Sequence, residues 1–200
     1  MKKTSAAILA GGKAVRFNGR DKAFLEVEGR TIFERMLSVL EPIFDEIIVV
    51  TDRPEQYAEF GPLVCAHDIF RDRGPLSGVH AALDISTHEI VFIFGCDLPF
   101  LQPAFIRHQL LTFSQKPTDI LVPSFDDKIE PLHTIYRKSI LPLLEHYFSI
   151  AQDKKTRSFF PFVNTRYMDV SSDLEAMRSF ININSPKDID ILNKSVYIAE

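Results

Sequence analysis

The first apolar segment of the chain is followed at once by two glycines and a basic loop, and this arrangement restricts the fold more than any other feature. Residues 6–10 form a short apolar run, which predicts a buried strand that ends at Gly11-Gly12. The loop that follows carries Lys13, Arg16, Arg20 and Lys22. At the carboxyl end of a strand in an open α/β sheet, such a loop can bring backbone N–H groups and positive charge to a polyphosphate.

Strand-type and helix-type segments then alternate along the chain, which is typical of a parallel sheet covered by helices. Thr31 and Glu34 have the spacing of a capping box and predict the start of the first helix. Residues 46–51 predict a second strand, and residues 89–95 form the most continuous apolar run, which predicts a central strand. The sequence therefore predicts a doubly wound α/β fold with a mostly parallel sheet.

The C-terminal half predicts a smaller, partly antiparallel addition to this sheet. Residues 129–137 predict an antiparallel strand, and residues 165–170 and 180–184 also have strand character. Ser185-Pro186 predicts the start of a last helix. We expect the 200 residues to form a single domain over residues 1–200.

Asp97 follows the predicted central strand and is the best candidate for a metal ligand. Right-handed crossovers return parallel strands in one direction, so Asp97 is expected at the same edge as the loop of residues 11–22. Mg²⁺ prefers carboxylate oxygens and takes one or two of them together with substrate phosphates. On general grounds an aspartate here is as often a cap, and Lys22 taken alone is more often a surface lysine.

Composition limits the partners and the compartment. The formal net charge of −4 argues against a general nucleic-acid-binding protein, which carries an excess of Lys and Arg. Cys65 and Cys96 are too far apart for a C-x-x-C pair and indicate reduced thiols. The apolar runs are too short for a secretory leader or a membrane span. We therefore expect a cytoplasmic protein that binds neither nucleic acid nor membrane.

Two common phosphate-binding patterns are absent from the first loop, because neither the P-loop nor the G-x-G-x-x-G fingerprint occurs. The pattern of residues 9–22 is L-A-G-G-x-x-x-R-x-x-G-x-D-K. It resembles the signature of the molybdenum cofactor guanylyltransferases, a branch of the nucleotidyltransferases. Three further segments resemble that family: Asp68 with G-P-L-S-G at residues 74–78, C-D-L-P at residues 96–99, and N-I-N-S-P at residues 182–186. Phe17-Asn18 departs from the family pattern, which has Met-Gly there.

The resemblance implies a Rossmann-like nucleotidyltransferase that transfers GMP from GTP to the molybdopterin form of molybdenum cofactor, giving the guanine dinucleotide cofactor and pyrophosphate. It also implies a Mg²⁺ cofactor and contacts with other cofactor-biosynthesis proteins and with molybdoenzymes. The residues implied are Asp97, Lys22 and Arg16 for catalysis, Leu9, Ala10, Gly11, Gly12, Lys22, Asp68 and Asp97 for GTP, Asn182 and Asn184 for molybdopterin, and Asp97 for the metal.

The sequence leaves open two alternatives to a guanylyltransferase function. One is a sister nucleotidyltransferase that uses CTP or acts on a sugar phosphate, although L-A-G-G rather than L-A-A-G favours GTP by resemblance. The other is a nucleotide-binding module without turnover. The presence of Asp97 together with Lys22 counts against such a module, since a binder has less need of a carboxylate that can bridge a metal.

Overall fold

The structure is a computed structural model that describes residues 3–10, 21–61, 63–66, 74–151, 155–183 and 187–189. The strands are β1 Thr4–Leu9, β2 Glu26–Val27, β3 Arg30–Thr31, β4 Glu46–Val50, β5 Val64–Ala66, β6 Ile90–Gly95, β7 Ile120–Phe125, β8 Lys128–Ile129, β9 His133–Arg137 and β10 Thr165–Asp169. The α-helices are α1 Ile32–Leu40, α2 Pro75–Ile85, α3 Pro103–Ser114, α4 Leu141–Ile150 and α5 Leu174–Arg178. Short 3-10 helices span Lys22–Phe24, Pro54–Phe60, Lys138–Ile140, Thr156–Ser158 and Phe160–Phe162.

The described part of the chain forms an eight-stranded sheet in the order β10-β7-β9-β6-β1-β4-β5, with β8 paired to β7. The pairs β6-β1, β1-β4, β4-β5 and β10-β7 are parallel. The strand β9 runs antiparallel to both of its neighbours, and β8 runs antiparallel to β7. The predicted mostly parallel sheet with a partly antiparallel addition is therefore confirmed. The strands β2 and β3 form a separate antiparallel pair.

Helices cover both faces of the sheet, as a doubly wound fold requires. Alternate residues of β6 belong to different cores, because successive side chains of a strand point to opposite faces. Phe92 and Phe94 lie in one core with residues of α1 and α3. Val91 and Ile93 lie in the other core with residues of α2 and α4. All four side chains are fully buried, which explains why this segment is apolar without alternation.

The capping box predicted for the first helix is present. The Glu34 N–H donates to the Thr31 hydroxyl at 3.2 Å, and the Thr31 N–H donates to the Glu34 carboxylate at 2.8 Å. These two bonds satisfy backbone groups that the first helical turn leaves without partners. The apolar side of α1 is buried in the core.

The C-terminal half differs from the prediction in two places. The antiparallel segment is interrupted, since β8 ends at Ile129 and β9 begins at His133. The predicted strand over residues 180–184 is wrong for its described part, because residues 179–180 form a turn and residues 181–183 pair with no strand. The Phe180 N–H donates back to Met177 of α5 at 3.1 Å, and the Phe180 ring stacks on Phe125 with centroids 5.0 Å apart. The apolar residues that suggested a strand thus cover the end of the sheet instead.

Residues 165–169 form the predicted strand at one edge of the sheet. Residues 187–189 are helical, in the region where the last helix is predicted. No helix in the described ranges has the length and apolar character needed to cross a bilayer.

Candidate active site

The carboxyl ends of β1 and β6 lie side by side, because Leu9 of β1 is in register with Gly95 of β6. Leu9 and Ala10 are buried, and the Ala10 N–H donates to the carbonyl of Val50 on β4 at 2.9 Å. Asp97 follows Gly95 by two residues. The structure therefore places Asp97 at the edge of the sheet where β1 ends.

Lys22 brings a positive charge to the same edge. Its Nζ atom lies 3.4 Å from Oδ2 of Asp97, and the two side chains are 23% and 22% exposed. A ligand that enters from solvent can therefore reach both groups. A lysine ammonium is a compact charge suited to phosphate, and a carboxylate is suited to a hard cation. Together the two side chains can hold the two components of a metal-bound polyphosphate.

Backbone contacts fix the turn that carries Asp97. The Asp97 carbonyl accepts the N–H of Ile183 at 3.0 Å, and Nε of Arg35 on α1 donates to the carbonyl of Pro99 at 3.1 Å. Leu98, which lies between these contacts, is 1% exposed and packs in the core. The turn is thus held from α1 and from the C-terminal segment.

The lack of a side chain at Gly95 leaves space for the Asp97 carboxylate near the end of β6. A Cβ atom at residue 95 would stand 2.8 Å from Oδ1 of Asp97 and 3.4 Å from Cβ of Leu132. The first of these distances is too short for a real contact between heavy atoms. Any side chain at this position would therefore displace the carboxylate.

The backbone around Lys22 is fixed, although the side chain reaches solvent. Lys22 begins the 3-10 helix Lys22–Phe24, whose N-cap is Asp21. Oδ1 of Asp21 accepts the N–H of Ala23 at 3.1 Å, and the Leu25 N–H donates to the Lys22 carbonyl at 3.1 Å. Asp21 is 8% exposed and Ala23 is fully buried. The ammonium group therefore extends from a rigid base.

Asp97 fits a Mg²⁺ ion that is shared with substrate phosphates. The described residues contain no group of three or more His, Cys, Asp and Glu side chains that could hold a metal ion. Mg²⁺ does not need such a cage, because it usually binds one or two carboxylates and completes its octahedral shell with phosphate oxygens and water. A part-exposed carboxylate beside a lysine has the donor chemistry for a site of this kind.

The structure brings several of the predicted site residues to this edge. Asn182 is exposed and directly precedes Ile183, so its backbone lies next to the Asp97 turn. Leu9, Ala10, Lys22 and Asp97 lie at the ends of β1 and β6 as described above. The predicted residues Gly11, Gly12, Arg16, Asp68 and Asn184 lie outside the described residues.

Glu130 lies beside this edge and was not indicated by the sequence. Its Oε1 atom accepts the N–H of Leu132 at 3.1 Å, and the Leu132 carbonyl accepts the N–H of Gly95 at 2.8 Å. Burial raises the pKa of Glu130, and the negative charge of Asp97 raises it further. No sequence signal distinguishes this glutamate, because its position depends on the pairing of β9 with β6.

Tyr57 and Cys96 are further neighbours, of which the sequence did not indicate Tyr57 and gave Cys96 only as the first residue of the C-D-L-P segment. The Tyr57 hydroxyl donates to Oδ2 of Asp21 at 3.0 Å across a separation of 36 residues. Burial raises the pKa of the Cys96 thiol, and the negative charges of Asp21 and Asp97 raise it further. The thiol is therefore uncharged at neutral pH, which argues against a nucleophilic role.

Comparison with known proteins identifies the family. Residues 6–167 match the family described as the MobA-like NTP transferase domain. The chain belongs to this family of MobA-like NTP transferases. The matched residues include most of β1, Lys22 and the Asp97 turn, so these parts of the edge lie within the MobA-like domain.

Relatives of this MobA-like chain are similar over most of their length. A probable molybdenum cofactor guanylyltransferase of Clostridium perfringens is 38% identical over 162 residues, which cover 81% of this chain and 80% of the relative. A probable molybdenum cofactor guanylyltransferase of Carboxydothermus hydrogenoformans is 36% identical over 203 residues and covers all of both chains.

Solved structures share the fold of the MobA-like chain. The molybdopterin-guanine dinucleotide biosynthesis protein A of Archaeoglobus fulgidus superposes with a TM-score of 0.80 at 23% identity, over 96% of this chain and 98% of that protein. The 4-diphosphocytidyl-2C-methyl-D-erythritol synthase of Anaerococcus prevotii superposes with a TM-score of 0.74 at 16% identity, over 98% and 96% of the two chains. At these identities the likeness establishes the fold alone.

Proposed function

We propose that this protein is a molybdenum cofactor guanylyltransferase, which transfers GMP from GTP to the molybdopterin form of molybdenum cofactor and releases pyrophosphate. The observation that carries the proposal is the placement of Lys22 Nζ 3.4 Å from Asp97 Oδ2 at the carboxyl edge of the sheet. The relatives at 38% and 36% identity are named as probable molybdenum cofactor guanylyltransferases, and we take the substrates from that name. A cation and a carboxylate at this edge suit the binding of a metal-bound nucleoside triphosphate.

The residues divide into three groups in this proposal. Lys22 and Arg16 offset the negative charge of the triphosphate and of the leaving pyrophosphate, and Asp97 holds the metal ion. The residues assigned to the guanine nucleotide are Leu9, Ala10, Gly11, Gly12, Lys22, Asp68 and Asp97. Asn182 and Asn184 are assigned to molybdopterin, and Asn182 supports this by its place beside the Asp97 turn.

The reaction requires no covalent intermediate on the protein. An oxygen of the terminal phosphate of molybdopterin forms a bond to the α-phosphorus of GTP, and the bond from that phosphorus to the α,β-bridging oxygen breaks. The pyrophosphate leaves with the electron pair of the broken bond. The protein contributes by holding the two substrates in line and by placing positive charge where negative charge develops.

Asp97 is the residue that would hold a divalent metal ion, which we propose to be Mg²⁺, and such an ion would supply positive charge to the phosphates when bound. The contribution of Asp97 is to hold that ion at the end of β6. Lys22 would contribute positive charge to the same phosphates, since its Nζ atom lies 3.4 Å from Oδ2 of Asp97. Nucleotidyltransferases generally use a divalent ion, and the choice of Mg²⁺ rests on the oxygen chemistry of the Asp97 site.

We also propose that residues 1–200 form one nucleotidyltransferase domain that acts in the cytoplasm. Cys65 and Cys96 are both free thiols, which fits a reducing compartment. Delivery of the product would require contact with proteins that carry or receive the cofactor. No nucleic acid or membrane is part of the proposed reaction.

The experiment that tests the proposal is an assay of pyrophosphate release with Mg²⁺ and each of GTP, CTP, ATP and UTP, with and without molybdenum cofactor. Release only with GTP and the cofactor together is the expected result. Release with CTP would assign the protein to the cytidylyl-transferring branch. If none of the four nucleotides gives pyrophosphate, the proposed transfer is contradicted. Omission of the cofactor controls for simple hydrolysis of the triphosphate.

A further inference from the structure

Tyr57 contacts the proposed triphosphate site through Asp21. The Tyr57 hydroxyl donates to Oδ2 of Asp21 at 3.0 Å, and Oδ1 of Asp21 accepts the N–H of Ala23 at 3.1 Å. Both carboxylate oxygens of Asp21 are therefore engaged by the protein. Because Asp21 directly precedes Lys22, the two bonds fix the point from which the Lys22 side chain extends.

The surroundings of Tyr57 hold its hydroxyl in one place. Tyr57 lies in the 3-10 helix Pro54–Phe60 and is 1% exposed. Its ring centroid lies 5.1 Å from that of Phe24 and 4.8 Å from that of Phe33 on α1. The hydroxyl is thus positioned by the packed core rather than by an exposed loop.

The hydroxyl also remains a donor across the working pH range. Burial raises the pKa of Tyr57, and the negative charge of Asp21 raises it further. A hydrogen bond from a neutral phenol to a carboxylate is charge-assisted and stronger than one between neutral groups. The contact is therefore suited to hold Asp21 in a single orientation.

We propose that Tyr57 is a positioning residue for Lys22, which acts through Asp21 to keep the Lys22 ammonium group where a nucleoside triphosphate binds. This inference rests on the proposed function, which assigns Lys22 to the triphosphate. The ring of Tyr57 fills core space as a phenylalanine would, whereas its hydroxyl bonds to Asp21. The positioning effect therefore belongs to the hydroxyl and can be separated from the packing of the ring.

The test is a calorimetric titration of magnesium-bound GTP into the wild-type protein, the Tyr57→Phe variant, the Lys22→Ala variant and the double variant. Tyr57→Phe is expected to weaken binding about tenfold, because a small misplacement of a charged group costs this order of effect. In the Lys22→Ala background the same change is expected to have no further effect. The residue on which Tyr57 acts is absent there, so the two changes are not additive.

Tyr136→Phe is the matched control. Tyr136 on β9 is fully buried, and its hydroxyl has no hydrogen-bond partner in the described part of the chain. Loss of this hydroxyl is expected to leave the Kd for GTP unchanged. The melting temperature and the binding stoichiometry of each variant report the folded fraction, so a purely structural role of Tyr57 would change these values and not the Kd.

Equal Kd values for the wild-type and Tyr57→Phe proteins would overturn the inference. A weakening that persists in the Lys22→Ala background would also overturn it, since Tyr57 would then act independently of Lys22. The titration of the unmodified protein tests the proposed function separately. If that protein binds CTP instead of GTP, the base assignment fails, and the Tyr57 comparison is made with CTP. If it binds no triphosphate, both proposals fail.

Discussion

The Nζ atom of Lys22 lies 3.4 Å from Oδ2 of Asp97, although 75 positions separate the two residues in the chain. In this arrangement each charge is the partner of the other. A metal-bound triphosphate carries both a cation and anionic oxygens, so it offers an opposite charge to Lys22 and to Asp97 at the same time. When such a ligand binds, the contact between Lys22 and Asp97 can be replaced by two contacts. Lys22 then contacts the phosphate oxygens, and Asp97 contacts the metal ion.

The role of Asp97 predicts a large and specific loss of activity in the Asp97→Asn variant. The amide keeps the shape of the side chain but lacks the charge that binds a divalent ion, so metal-dependent transfer should fall about a hundredfold or more. The melting temperature should change little, because asparagine has nearly the same size and shape as aspartate and the side chain keeps some contact with solvent. The rate of pyrophosphate release measures the effect.

Asp84→Asn is the control for Asp97→Asn. Asp84 is an exposed residue of α2, so the same change of chemistry there should leave the rate at the wild-type value. Turnover by Asp97→Asn at the wild-type rate would refute the assignment of the metal to Asp97.

Gly95→Ala tests the geometry of the site without removal of any functional group. The new Cβ atom would stand 2.8 Å from Oδ1 of Asp97, so the carboxylate must move. The fold should tolerate the change, since the displaced atom is the end of a side chain. We expect metal-dependent activity to fall about tenfold, with a melting temperature close to that of the wild-type protein.

A rate for Gly95→Ala equal to that of the wild-type protein would show that the position of the Asp97 carboxylate is not critical. Unfolding of the variant would instead contradict the argument that only a side-chain end is displaced. The two results are distinguished by a thermal melt recorded on the same sample.

His133 predicts the direction in which stability depends on pH. Its ring is fully buried and contacts the rings of Phe92, Phe94, Phe105 and Phe180. Burial lowers the pKa of His133 from 6.5 to about 3. In acid the unfolded chain therefore binds a proton at this residue before the folded chain does, and stability falls as pH drops below about 6.5.

As the pH falls from about 6.5 to about 4.5, burial of His133 should lower the free energy of unfolding by about 2 kcal/mol. His133→Phe keeps a planar ring and removes the titrating group. The free energy of unfolding of this variant should therefore fall less over this pH range than that of the wild-type protein. The same substitution at His146, an exposed residue of α4, should leave the wild-type pH dependence in place. Denaturant unfolding at several pH values measures the slopes, and equal slopes for His133→Phe and the wild-type protein would contradict the account.

The capping box of α1 predicts a measurable loss of stability in Thr31→Ala. The change removes the hydroxyl that accepts the Glu34 N–H at 3.2 Å. It should cost about 1 kcal/mol, or about 3 °C in melting temperature for a chain of this size. Ser38→Ala on the same helix is the control, since the Ser38 hydroxyl donates to the Arg35 carbonyl in an exposed position and its loss should have little effect on stability.

Those parts of the fold that depend on local patterns could be predicted from the sequence. The capping box identified the start of α1, and the continuous apolar run identified β6 as a central strand. The sequence wrongly predicts a strand over the described part of residues 180–184, because the apolar residues of this segment have strand character. Phe180 instead packs against His133 and Phe125, which is a tertiary contact that no local pattern reveals.

The candidate site was predictable to the same extent. Asp97 was placed at the correct edge because strand direction follows from the right-handed crossover. Tyr57 and Glu130 were missed because each reaches the site across a long separation in the chain. Their side chains follow no motif, so only the folded arrangement shows that Tyr57 bonds to Asp21 and that Glu130 lies near the charge of Asp97.

The central claim is that the α-phosphorus of GTP is transferred to molybdopterin, and isotope labelling tests it most directly. GTP labelled at the α-phosphate and GTP labelled at the γ-phosphate are incubated in parallel with the protein, Mg²⁺ and molybdenum cofactor. The account predicts that the α label appears in the guanine dinucleotide cofactor and the γ label in pyrophosphate. Recovery of the α label only as GTP, GDP or free GMP would contradict it.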